Sequence, residues 1–276
     1  MSHYVVVVVG DPDKLAEHLA PFDENVEVEP YRHPVGDWEI EYAVNNGAPA
    51  GDWAAIAAKL NDEFSDSGSY LADDEGVYQM STYNPKSKWD WYVVGGRWDG
   101  FWKGWQRFHT GRRVPSTPVN VTRRVDIDWS RMYDEAAEAA GKRWDEVHAV
   151  IDAHPVPMTW AQVREAHPVD HQGARDAYNG QAAVNAVKDL GSGHPAWWDG
   201  PDEYLRPRAD YAHAAGFGAG MPFAFLIDGE WIERGKMRFF GVVEGDTEQD
   251  AWHREAHAIY DKIPGAAILT AVDIHI

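Results

Sequence analysis

The sequence predicts an α+β fold, and three observations carry the prediction. The chain opens on a β-α unit, closes on a β-β-α-β run, and reads as mostly helical in between. At 276 residues, 44% of them hydrophobic, it can bury a sizeable core, and its composition argues against disorder.

Tyr4 to Gly10 is a continuous β-branched run and predicts a strand buried on both faces. Asp11-Pro12 supplies a helix cap with proline at the first helical position, and Leu15, Ala16 and Leu19 give the apolar stripe before Pro21 stops the helix. Phe22 to Gly51 has no clean period and predicts a loop with one short strand. Asp52 caps a second helix whose face is Trp53, Ile56, Ala57, Leu60 and Phe64. Ser65 to Gly76 predicts an acidic loop, and Val77 to Tyr83 a strand. Arg107 to Asp128 predicts an extended, partly exposed segment.

Ser130 to Ala153 predicts a long helix, weakened in the middle by Gly141. Thr159-Trp160-Ala161-Gln162 is a capping box opening a short helix, and Arg175 to Leu190 predicts another that ends at Gly191. Ser192 to Gly220 predicts a long surface segment. Pro222–Ile227 and Lys236–Glu244 predict strands joined around Asp228-Gly229. Asp246 caps a helix with Trp252, Ala256, Ile259 and Ile263 on its core face, and Ala267 to Ile276 is a final strand.

Opening and ending together spell β-α-β-β-α-β, the ferredoxin-like split unit. The predicted architecture is therefore a discontinuous core, residues 1–29 and 217–276, interrupted by a large, mostly helical insertion, residues 30–216.

Composition narrows the function classes. No apolar run approaches the length of a membrane span, and the N-terminus reads as a strand with no leader. Zero cysteines exclude disulfides, thiolate metal sites and cysteine nucleophiles, and suit a cytoplasmic protein. The net charge of −20 disfavours generic double-stranded DNA and anionic membranes as partners.

Against that background one stretch stands apart. Asn84 to Trp105 holds five of the fourteen tryptophans, and Lys86 to Arg124 carries nine Lys and Arg against two acids. The local charge is +7, leaving −27 for the rest. Trp89, Trp91, Trp98, Trp102 and Trp105 offer flat faces beside Tyr92, and Lys88, Arg97 and Lys103 offer charges for phosphate oxygens. Stacking plus cation is how nucleotides and single strands are held. Gly95-Gly96 permits close backbone approach beside Arg97. The opposing reading is an aromatic core with an Asp90–Arg97 ion pair; sugar binding also fits Trp beside Asp.

On the last strand Asp273 and His275 share a face, so they are acid/base or metal candidates together with Asp90. The expectation is that the insertion brings Lys88, Asp90 and Arg97 over a helix-free face holding Asp273 and His275. His253/His257 and His167/His171 have i, i+4 spacing, which thirteen histidines produce by chance. No nucleotide-loop, protease or hydrolase signature is present, and the sequence names no cofactor.

A resemblance adds a setting. Leu19-Ala20-Pro21-Phe22-Asp23-Glu24-Asn25-Val26-Glu27-Val28-Glu29-Pro30-Tyr31 is its first part. Asn84-Pro85-Lys86-Ser87-Lys88-Trp89-Asp90-Trp91-Tyr92 with Gly95-Gly96-Arg97-Trp98 is the second. Gly229-Glu230-Trp231, Glu233-Arg234-Gly235-Lys236-Met237 and Val272-Asp273-Ile274-His275-Ile276 complete it. Together they resemble a family of proteins encoded by bacteriophages, prophages and other mobile elements. The resemblance implies a phage or mobile-element setting in a host cytoplasm, and no reaction. The expected role is an accessory protein that binds a phosphate-bearing ligand and hydrolyses it if it is an enzyme. The alternatives are a non-enzymatic acidic protein that binds a host protein, and a carbohydrate-binding module.

Overall fold

The computed structural model describes residues 2–64, 69–107, 113–194, 196, 200–237 and 243–276. The middle of the predicted Lys236–Glu244 strand, and parts of the predicted loops at 65–68, 108–112 and 197–199, lie outside the described residues. The fold is mixed α+β. The chain forms two compact units: Met1–Lys14 with Val93–Ile274, and Leu15–Tyr92 with His275–Ile276. The predicted boundaries, at 29/30 and 216/217, fall elsewhere. Residues 93–216 stay with the first unit because Trp102 and Met132 pack into the same cluster as Val5, Val7 and Phe225.

The first unit is built on one sheet. Its strands are β1 (His3–Val9), β2 (Trp91–Val94, within which the chain passes between the units), β3 (Val121–Arg123), β4 (Ala224–Ile227), β5 (Glu230–Glu233) and β6 (Ile268–His275). They are ordered β5-β4-β1-β6-β2, with β3 also pairing β6. β1 and β4 run parallel, Val6 opposite Ala224 and Val9 opposite Ile227. This differs from the ferredoxin-like order, which inserts a strand between the strands joined by a helical crossover; here β1 and β4 pair directly. The closing hairpin is tighter than predicted: Ile227 pairs Glu230 across Asp228 (φ 51) and Gly229 (φ 81), a primed two-residue turn. Lys236–Met237 then pairs Val243–Glu244 in a separate ribbon.

Among the helices of the unit are α1 (Trp129–Ile151), α2 (Arg208–Phe217) and α3 (Gln249–Lys262). Asp128 caps α1 by accepting from Arg131 N–H, and Glu248 caps α3 by accepting from Ala251 N–H. Trp252, Ala256 and Tyr260 of α3 cover the sheet face formed by Val5, Val7, Phe225, Leu269 and Ala271. The polar tips are satisfied within this core: Trp252 Nε1–H donates to Pro222 O and Tyr260 O–H to Gly220 O. α2 lies in the predicted surface segment. It packs on α1 through small residues: Gly216 meets Tyr133, and Gly141, predicted as a weak point, is where the Arg208 guanidinium sits. The predicted Arg175–Leu190 helix is two, His171–Asn179 and Ala182–Lys188, separated around Gly180.

The second unit is a three-stranded antiparallel sheet, Tyr31–Pro34, Gly76–Ser81 and Tyr70–Asp73, backed by helices Asp37–Asn45 and Trp53–Glu63. Ile56, Ala57, Leu60, Tyr70 and Val77 are its core. The strand Tyr31–Pro34 is the short one predicted within Phe22 to Gly51, whereas the helix Asp37–Asn45 lies in what was predicted there as loop, and the strand Tyr70–Asp73 in the predicted acidic loop. No helix among the described residues is long and apolar enough to cross a membrane.

Candidate functional site

In the first unit, Asp273 is the organising side chain. It stands on β6 in register with Leu269 and Ala271, so it continues the helix-covered face of the sheet. This corrects the expectation of a helix-free face. Asp273 is 1% exposed, and a buried carboxylate needs partners. Two stand beside it among the described residues: His3 Nδ1 lies 2.8 Å from Oδ1, and Arg97 N–H donates to Oδ2 at 3.0 Å. With the carboxylate accepting, His3 Nδ1–H is the donor of this bond.

The glycine pair makes this contact possible. Gly95 (φ 76) and Gly96 (φ 54) turn the chain back after β2, and Gly95 N–H donates to Ala271 O at 2.9 Å. A Cβ on Gly96 would lie 2.4 Å from Asp273 Oδ2, and one on Gly95 would lie 2.2 Å from Asn120 Nδ2. Asn120 braces the next loop, accepting from Gly100 N–H at 2.7 Å and donating to Asp99 at 2.6 Å. The turn therefore presents Arg97 with its backbone fixed and its side chain exposed.

Two other cations of the basic stretch are neutralised. Lys103 pairs with Glu135, and Arg123 pairs with Asp126 at 2.5 Å. Two tryptophans of the basic stretch are structural: Trp102 is fully buried, and Trp98 packs against the core. Comparison with protein-family models, with curated proteins and with solved structures finds no match to the chain. The site must therefore be read from its own chemistry.

In the second unit, the motif residues clamp an earlier segment. Asn84 Nδ2 donates to Pro21 O and Asp23 O, Lys88 N–H donates to Phe22 O, and Trp89 Nε1–H donates to Leu19 O at 3.0 Å. Trp89 is 9% exposed and packs T-shaped against Tyr92, so little of its ring is open to a ligand. Asp90 pairs with His275, Oδ1 to Nδ1 at 2.5 Å. Trp91 is 50% exposed and stands edge-on to His275.

Thus Gly95, Gly96, Arg97 and Asp273 come together in one unit, and Lys88, Trp89, Asp90, Trp91, Tyr92 and His275 belong to the other. His3 was missed by the sequence reading. Its signal was there: it leads the Val5/Val7 alternation, so it shares their face. Among the described residues no group of three or more His, Asp and Glu side chains could hold a metal ion.

Proposed function

We propose that the chain binds a phosphate-bearing ligand, a nucleotide or short single strand, at the Gly95-Gly96-Arg97 turn. The carrying observation is that one buried carboxylate, Asp273, fixes both the Arg97 backbone and the His3 ring. Exposed on a rigid turn, the Arg97 guanidinium offers a planar fork of donors to phosphate oxygens. His3, oriented by Asp273, supplies the group that takes up or delivers a proton, as phosphoester hydrolysis requires. The site is thus narrower than the Trp-rich stretch as a whole, because Trp98 and Trp102 serve the core. We read the setting as that of a phage or mobile-element accessory protein, on the motif resemblance alone.

Thermal denaturation against nucleotides, cyclic dinucleotides, short oligonucleotides, sugars and divalent metals tests the reading. A ligand at about 100 times its Kd stabilises the fold by ~2.7 kcal/mol, readily visible as a melting shift. The expected result is a shift with a phosphate compound that Arg97→Ala removes. Silence with every phosphate compound would overturn the reading in favour of an acidic protein that acts on a host partner.

A further inference from the structure

A second site lies in the first unit, away from the Arg97 turn and independent of it. Beyond the carboxyl ends of β1 and β4 the sheet opens into a cleft of about 840 Å³. Val9 and Ile227, paired across these parallel strands, form its floor with Ile232 of β5, and Ile259 of α3 forms its wall. All four pack against the buried core yet keep part of their surface in water. The core therefore continues into the cleft.

Apolar side chains converging in a concavity of this volume suit a small ligand, and the carboxyl ends of neighbouring parallel strands are where α/β sheets bind ligands. The rim gives the ligand its charge. Asp11 follows β1, Asp228 follows β4, and Lys262 closes α3, so two carboxylates face one ammonium. The wider field of a chain at −20 favours cations as well. We infer that the cleft binds a small amphipathic amine: an aliphatic or aromatic body seated on Val9, Ile227, Ile232 and Ile259, with one ammonium group at Asp11 and Asp228.

The test titrates the full chain with three probes of one shape, n-octylamine, n-octanol and octanoate, followed by tryptophan fluorescence and melting temperature. Octylamine should bind saturably and at least tenfold more tightly than octanol, with octanoate weakest. Asp11→Asn combined with Asp228→Asn should reduce octylamine to the octanol level. Asparagine tolerates the positive φ of position 228 and keeps the acceptor that Asp13 N–H uses at position 11, so the fold is preserved. Equal affinity for the three probes, absence of saturable octylamine binding, or undiminished octylamine affinity in the double variant would overturn the proposal. So would a concentration-dependent dimer that dissociates in folded Ile232→Glu, because a second copy would then fill the cleft.

Discussion

Gly96 and Asp273 are fitted to each other: a methyl group on Gly96 would stand 2.4 Å from Asp273 Oδ2 and 2.5 Å from its Cβ. Gly96→Ala therefore meets two penalties. The left-handed backbone costs about 1–2 kcal/mol for any side chain, and the contact forces the carboxylate off Arg97 N–H. Gly229→Ala isolates the first penalty, since φ is +81 there and nothing lies within 4 Å. Chemical denaturation should rank Gly96→Ala as the more destabilising; equal losses would contradict the fit.

Removing the carboxylate separates packing from proton placement. Asp273→Ala leaves Arg97 N–H and His3 without their buried acceptor and should cost about 1–3 kcal/mol in urea denaturation. Asp273→Asn keeps an acceptor for Arg97 N–H but offers His3 an N–H. The proton should then move from Nδ1 to Nε2, a tautomer change visible in imidazole nitrogen NMR.

The tryptophans divide by burial. Trp102 is fully buried among Phe101, Met132 and the sheet core, so Trp102→Ala should cost about 3–5 kcal/mol. Trp91, half exposed, should change stability by no more than about 0.5 kcal/mol when replaced by alanine. Denaturation midpoints with unchanged slopes check both.

His253 sets a pH dependence. Burial, chiefly, holds its imidazole below the ordinary histidine range, and among the described residues its buried Nδ1 has no hydrogen-bond partner. A depressed histidine binds fewer protons folded than unfolded. Stability is therefore full above the unfolded value of about 6.5 and declines as pH falls through it towards the lower folded value. Melting temperature should fall between pH 7.5 and 5.5, and His253→Gln should flatten that decline.

Much of this architecture was legible because it is local. The β-branched run fixed β1, Asp52 and Thr159 capped the helices they announce, and Asp228-Gly229 marked a hairpin turn. What escaped depended on distant partners. α2 has no amphipathic stripe to advertise it, since it binds α1 through Gly216 and an Arg208 that fills the space over Gly141. The strand order was not legible, because periodicity says which face a residue takes but not which strand lies next to it. At the candidate site, Gly95, Gly96, Arg97 and Asp273 were legible from residue type. Their meeting with His3 was not, because it spans nearly the whole chain. The same limit hid the role of Asn84 and Trp89, whose bonds run to Leu19, Pro21 and Asp23.

The central claim is that Arg97 and the His3–Asp273 pair form one phosphate site. The most direct measurement is nitrogen NMR of the histidine rings during a titration with pyrophosphate. A saturable movement of the His3 Nε2 signal, abolished by Arg97→Ala with the fold intact, is the predicted result. A His3 signal that stays still, or that moves equally in Arg97→Ala, would contradict it.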